Sequence, residues 1–341
     1  MLKTSCSIFD ALRLALCAQP RSGNLKSGHY LPGTSVDGRP GKPYAGFDFM
    51  SELKNSLLEL VRRTSAEIPD DVQKAILTSL EQEKKGTIAE SALKIIDRNI
   101  AMAKQKSQPI CQDTGSILFY VDCPVGYDQL AFADTAREAV TLATKKGYLR
   151  QNSVDSLTGK NDGTNVGPGA PAFHFHQHRS PELTVRLILK GGGCENVGAQ
   201  YSLPNEKLKA NRDLDGCRKA ILDAVLQAQG KGCGPGILGV CIGGDRATGY
   251  ELSKTQFLRQ IPDRNENPEL DKLEQDVMKT ANELGIGPMG FGGKTTLLGV
   301  KICAANRLPA SYFVSVSYMC WAYRRQGVTL DAEGKIGKWL Y

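Results

Sequence analysis

Apolar residues recur at helical spacing through the first third of the chain, from Asp48 to about residue 106. Met50, Leu53, Leu57, Leu60 and Val61 share one face, as do Val72, Ile76, Leu77 and Leu80 after Pro69-Asp70. Thr87 with Glu90 three residues on makes a capping box, and Leu93, Ile96 and Ile100 follow at helical spacing. Three helices are therefore predicted, their charged residues facing solvent. After Gln108 the pattern changes to short β-rich apolar runs that alternate with helical stretches. Strands are predicted at Ser116–Asp122, Ala172–Phe175, Leu183–Leu189, Ile237–Ile242, Thr296–Ala304 and Ser311–Met319. Helices are predicted near Ala131–Lys146, Leu214–Gln229 and Glu269–Leu284, and a hairpin turn at Asp331–Gly334. The expected fold is α/β, with an N-terminal helical segment packed on an α/β body of mixed sheets. No repeat of 20–50 residues is visible.

Residues 1–47 differ from the rest. A short amphipathic stretch precedes a Gly-, Pro- and Ser-rich run without periodicity, which reads as a flexible extension, a targeting segment or an over-long start. Residues 48–341 are expected to form one domain.

The chain carries 43 Lys and Arg against 36 Asp and Glu, a net charge of +7 over 341 residues. That charge is too mild and too dispersed for a nucleic-acid surface, its largest basic clusters being pairs such as Lys145–Lys146 and Arg324–Arg325. No run of about 18 apolar residues suggests a membrane span. Ten cysteines in a chain of this length are too sparse for a disulfide scaffold, so a cytoplasmic protein with reduced thiols is expected.

Glycine clusters or sharp turns accompany particular cysteines at predicted strand ends: Pro109–Gly115 around Cys111, and Lys231–Gly236 around Cys233. Cys320 ends a third strand. Three thiolates on separate strand ends suit an iron–sulfur cluster with one open iron, although spacing alone does not require one, and a buried thiol is the ordinary alternative for each. Gly191–Gly193 and Gly243-Gly244 follow strands and suit either anion binding or close helix–sheet packing. His174, His176 and His178 alternate on one strand face, which reads as a sheet-covering face ahead of a metal site. Gly234–Gly239 fits G-x-G-x-x-G but precedes a strand, and Gly293-Lys294-Thr295 lacks the first glycine of a phosphate loop, so nucleotide binding is a distant alternative.

Four motifs in order carry a resemblance. Cys111-Gln112-Asp113-Thr114-Gly115, Lys190-Gly191-Gly192-Gly193-x-Glu195-Asn196, Cys233 ahead of Gly239-x-x-Ile242-Gly243-Gly244, and Ser315-Val316-Ser317-x-x-Cys320 resemble the class I iron–sulfur hydro-lyases. That family includes class I fumarase and L(+)-tartrate dehydratase. The resemblance runs from about Asp48 onward and covers the family's N-terminal, cluster-bearing half. It implies a [4Fe–4S] cluster on Cys111, Cys233 and Cys320, whose open iron acts as a Lewis acid on a small dicarboxylate. It implies substrate contacts from Gln112, Arg150 and a backbone amide around Gly193, with Lys190 a further candidate. Asp113 is the acid/base candidate, or a group that positions its neighbours. The expected reaction is reversible hydration of fumarate to L-malate, a step of the tricarboxylic acid cycle, with tartrate dehydration the alternative. No match to the family's C-terminal half is present. The resemblance therefore implies an α subunit completed by a separate β subunit, in an α₂β₂ heterotetramer. A fold-retaining assembly partner without catalysis is another alternative. Cys194 stands where a small residue such as serine is expected.

Overall fold

A computed structural model describes residues 47–341. Apart from Phe47, the extension expected over residues 1–47 lies outside the described residues. Three helices come first, α1 (Phe47–Ala66), α2 (Asp70–Gln82) and α3 (Ile88–Lys106). The capping box at α3 is offset by one residue. Thr87 Oγ1 accepts from Glu90 N at 3.2 Å, while the Glu90 carboxylate accepts from Gly86 N at 2.7 Å. The box still satisfies one donor at each end of the turn.

The body follows in the order β1 (Ser116–Pro124), α4 (Gln129–Lys145), β2 (Ala172–His178), β3 (Leu183–Lys190), α5 (Gly192–Asn196), β4 (Ala199–Ser202), α6 (Leu214–Ala228), β5 (Gly236–Gly243), α7 (Arg246–Thr255), α8 (Pro268–Glu283), β6 (Leu297–Ala305), β7 (Phe313–Met319), β8 (Arg324–Leu330) and β9 (Ile336–Trp339). These strands make two mixed sheets, ordered β2-β1-β3-β8-β9 and β4-β7-β5-β6. In the first only β1 and β2 run parallel; in the second only β5 and β6 do. The expected α/β class with mixed sheets is observed.

Period-two geometry explains why several strands are apolar throughout. In β1, Ile117, Phe119, Val121 and Cys123 face a core shared with α1 and α4. Leu118 and Tyr120 face the opposite way, into a second core with Ile188 of β3, Ile237 of β5, Leu298 of β6 and Met319 of β7. That middle core joins the two sheets and receives Val72 and Ile76 of α2 and Leu93, Ile96 and Ile100 of α3. A third core lies on the far face of the second sheet, where Leu238, Val240 and Ile242 meet α6 and α8. The first sheet thus has α1 and α4 outside and the middle core inside, and the candidate site grows at the edge of that core.

One polar strand was not expected. β8 begins Arg324-Arg325-Gln326, all with 1% exposure or less, yet it is central in the first sheet between β3 and β9. The Arg324–Arg325 pair, one of the chain's largest basic clusters, is therefore buried, which removes it from any basic surface. Asp71 neutralises Arg325 at 2.7 Å, and the rings of Tyr323 and Tyr341 lie 4.6 and 4.3 Å from its guanidinium carbon.

Candidate functional site

The turn after α3 is anchored before it reaches Cys111. Ile110 N donates to Ser65 O at 3.0 Å, and Asn99 Nδ2 donates to Ile110 O at 2.9 Å. The chain then bends so that Asp113 N points to the Cys111 sulfur at 3.4 Å. Gly115 closes the turn with φ of +73°. A Cβ there would stand 2.2 Å from Lys190 O, so glycine alone allows the turn to lie against the end of β3.

That approach brings two predicted motifs together. Asp113 Oδ2 accepts from Gly192 N at 2.6 Å, at the start of α5 in the triple-glycine turn. Asp113 Oδ1 accepts from Asn152 Nδ2 at 2.9 Å, and Asp113 O accepts from Arg324 at 2.6 Å. Asp113 therefore meets three other chain segments, two through its carboxylate and one through its carbonyl. Arg150 enters the same region through its backbone. Its N and O pair with Thr114 Oγ1 at 2.9 and 2.7 Å, and its O also accepts from Asn165 Nδ2 at 2.7 Å. The side chains of Gln112 and Arg150 are at the exposed rim, as is Gly193.

Two asparagines in this frame were not foreseen. Asn165, 2% exposed with φ of +60°, accepts at Oδ1 from the N–H groups of Asn152 and Ser153 and donates to Thr144 Oγ1 at 3.0 Å. Asn tolerates this left-handed conformation better than most residues. The Gly and Asn residues of Asn161–Gly167 are loop-forming types, but the hub function of Asn165 is tertiary. Asp113, Asn152, Asn165 and Gly192 line a cavity of about 340 Å³, within the range of small-molecule sites.

Behind the glycine turn lies a charge cluster. Lys190 has no exposed surface, and its Nζ is 3.2 Å from Glu195 Oε2; the other oxygen of Glu195 accepts from Lys254 at 2.8 Å. Burial lowers the Lys190 pKa, and Glu195 works against that. Burial alone would raise the Glu195 pKa, but Lys190 and Lys254 outweigh it and hold the carboxyl below its ordinary range.

The remaining cysteine turns adjoin this assembly. Cys194 in α5 and Cys320 after β7 are both buried in the middle core, close enough to influence each other's protonation. The neighbouring Cys320 draws the Cys194 thiol down to about 7 against its burial, with help from Lys190 and Arg324; the Cys320 thiol is raised by its closeness to Cys194 and by burial. Cys233 has φ of +54°, and its carbonyl accepts from Trp321 N at 3.3 Å, directly after Cys320. Burial raises its thiol, and Cys194, Cys111 and Asp113 lie near enough to add to the effect. Cys111 and Cys233 pack against the middle core that holds Cys194 and Cys320. Among the described residues, no three His, Cys, Asp or Glu side chains converge tightly enough to hold a single metal ion.

Other expectations resolve into structural roles. The amides of Lys294 and Thr295 donate to Glu83 Oε1 at 2.7 and 3.0 Å, so the groups a phosphate would need are already taken by a buried carboxylate. Asp245 caps α7 in the same way through Ala247 and Thr248, which accounts for the Gly243-Gly244 turn as helix packing. His174 stacks on Tyr120 and pairs with Glu251 at 3.1 Å, consistent with a face that covers the sheet.

Comparison with known proteins agrees with this architecture. The model of the family described as fumarate hydratase (fumerase) matches residues 54–329. The chain is 53% identical over 296 residues to a Geobacillus stearothermophilus protein named "Putative fumarate hydratase class I", covering 86% of this chain and 58% of that protein. It is 30% identical over 286 residues to the L(+)-tartrate dehydratase subunit alpha of Escherichia coli K12, covering 82% of this chain and 92% of that subunit. The chain thus spans little more than half of the Geobacillus relative and nearly all of the E. coli subunit. With a match across most of its length and cysteine turns gathered around one core edge, the chain belongs to the fumarate hydratase (fumerase) family.

Proposed function

We propose that this chain is the α subunit of a class I iron–sulfur hydro-lyase that interconverts fumarate and L-malate, completed by a separate β subunit. The observation that carries the reading is the meeting of the Cys111, Cys233 and Cys320 turns at one core edge, beside the cavity under Asp113. The likeness to a protein named as a fumarate hydratase, 53% against 30% for the tartrate dehydratase subunit, puts fumarate ahead of tartrate. The E. coli relative is itself a subunit alpha, which supports a separate β partner; the assembly we propose for the pair is α₂β₂.

The residues suit a [4Fe–4S] cluster by donor chemistry. Cys111, Cys233 and Cys320 would hold it as thiolates. The bound cluster would supply a Lewis-acidic iron for the hydroxyl that leaves from malate. Everything else falls to the protein. Asp113 has both carboxylate oxygens engaged, by Gly192 N and Asn152, which favours a positioning role over proton transfer. It fixes the glycine turn so that the Gly193 amide faces a substrate carboxylate. Arg150, its backbone locked by Thr114 and Asn165, offers a planar cation for another carboxylate, and Gln112 adds a neutral hydrogen bond. Lys190 sits beneath the turn, where its buried charge favours the dicarboxylate electrostatically without leaving Glu195. Co-expression with the β subunit under anaerobic conditions tests the reading. Malate–fumarate turnover that depends on each of the three cysteines supports it; unchanged turnover in the Cys→Ser variants refutes it.

A further inference from the structure

A second thiol pair lies away from the site, in the other sheet. Cys241 of β5 and Cys303 of β6 are direct register partners on parallel neighbouring strands. Adjacent strands lie about 4.7–4.9 Å apart, inside the roughly 4.4–6.8 Å Cα separation that a disulfide requires. Both side chains are on the face away from the α6–α8 core. Their alternates Leu238, Val240 and Ile242 of β5 and Val300 and Ile302 of β6 fill that core, whereas the Cys303 sulfur lies 3.8 Å from Leu252 O of α7. The register therefore sets the two thiols side by side on that face.

The pair is asymmetric. Cys241 is fully buried, whereas Cys303 is partly exposed, close to the end of the sheet's edge strand. Cys303 opens onto a cleft of about 560 Å³ lined also by Gln256, Arg259, Asp263 and Asn265. The Cys241 thiol and Arg259 favour the thiolate of Cys303 against its burial, while the same contact and burial keep the proton on Cys241.

We propose that Cys241 and Cys303 are a peroxide-oxidisable dithiol, a modification site in which Cys303 is the reacting thiol and Cys241 the resolving one. The Cys303 thiolate attacks a hydroperoxide oxygen. The S–O bond forms, the O–O bond breaks, and the alkoxide or hydroxide leaves with a proton from solvent. The Cys241 sulfur then attacks the Cys303 sulfenic acid. The S–S bond forms, the S–O bond breaks, and water departs with the Cys241 proton. The two thiols lose two electrons in total, and one hydroperoxide is reduced to an alcohol or water.

Peptide mapping of the anaerobically purified full chain tests this. Hydrogen peroxide is added in small molar excess, remaining thiols are alkylated under denaturing conditions, and the unreduced protein is digested with trypsin. The expected product joins Ile302–Arg307 to Gly232–Arg246. Fragmentation places the bond on Cys241 and not on Cys233, and reduction removes it. Labelling of both thiols by iodoacetamide is lost in parallel. In Cys241→Ser, a sulfenic-acid probe marks Cys303 and no link forms. Full alkylation of Cys241 and Cys303 at peroxide levels that oxidise other thiols overturns the proposal, as does a link through Cys233 or unlinked sulfinic acid on Cys303. The wild-type map decides the matter even if the variant does not fold.

Discussion

Replacing Asn165 by alanine tests the frame that holds Arg150 beside the Asp113 turn. The side chain makes four hydrogen bonds, accepting from Asn152 N and Ser153 N and donating to Arg150 O and Thr144 Oγ1. A buried bond of this kind contributes about 0.5–1.5 kcal/mol net, and partners left without water cost more. Asn152 is exposed and Ser153 partly so, so their amides rehydrate once the loop loosens; the Thr144 hydroxyl keeps its bond to Val140 O. The main losses are then the two donated bonds and the left-handed backbone, which costs alanine roughly 1–2 kcal/mol. The sum is about 2–5 kcal/mol, and at roughly 2 °C per kcal/mol for a chain of this size the melting temperature falls by about 4–10 °C. Thermal unfolding followed by circular dichroism measures that shift. Limited trypsin digestion reads the local effect, with faster cleavage at Arg150 and Lys160. Asn165→Asp keeps both acceptor bonds, loses both donors and sets an oxygen against Arg150 O, so it should also destabilise. A variant within about 0.5 kcal/mol of the parent, with unchanged digestion, would refute the claim that Asn165 organises this loop.

Other substitutions probe neighbouring contacts. Gly115→Ala meets Lys190 O at 2.2 Å and should separate the Cys111 turn from the glycine turn, destabilising the chain by about 2 kcal/mol or more, measured by denaturant unfolding. Glu195 has a depressed pKa in the folded chain, so its contribution to stability is complete above the ordinary Glu pKa and is lost as pH falls through the folded value. Glu195→Gln should therefore flatten the acid limb of a stability–pH curve; an unchanged limb contradicts the Lys190–Glu195–Lys254 arrangement. Glu83→Ala strips the acceptor from the Lys294 and Thr295 amides and should cost about 1–3 kcal/mol in thermal unfolding, with no ATP binding gained by calorimetry.

Much of the fold was legible because its signals are local. The α3 cap, the helical faces of α1–α3 and the apolar strands β1, β3, β5 and β6 follow from spacing and from cores on both sides of each sheet. β8 was hidden because its burial depends on partners far away in sequence. Arg325 is held by Asp71, 254 residues distant, and Arg324 by the carbonyl of Asp113. The same holds within the site. The motif cysteines and Asp113 stand out in the sequence, but Asn152 reaches the Asp113 turn only when the chain returns across 39 residues, and Asn165 joins the frame through Arg150, which pairs with Thr114 across 36. Lys294-Thr295 shows the converse: a phosphate-like signature whose amides serve a buried glutamate.

The most direct measurement is iron and acid-labile sulfide content, with the visible spectrum, of the chain purified without oxygen. The account predicts about four irons and four sulfides per chain and a broad visible absorption that is lost in each of Cys111→Ser, Cys233→Ser and Cys320→Ser. A chain that assembles with its β subunit and turns over malate while free of iron would contradict it, as would all three variants retaining a full complement.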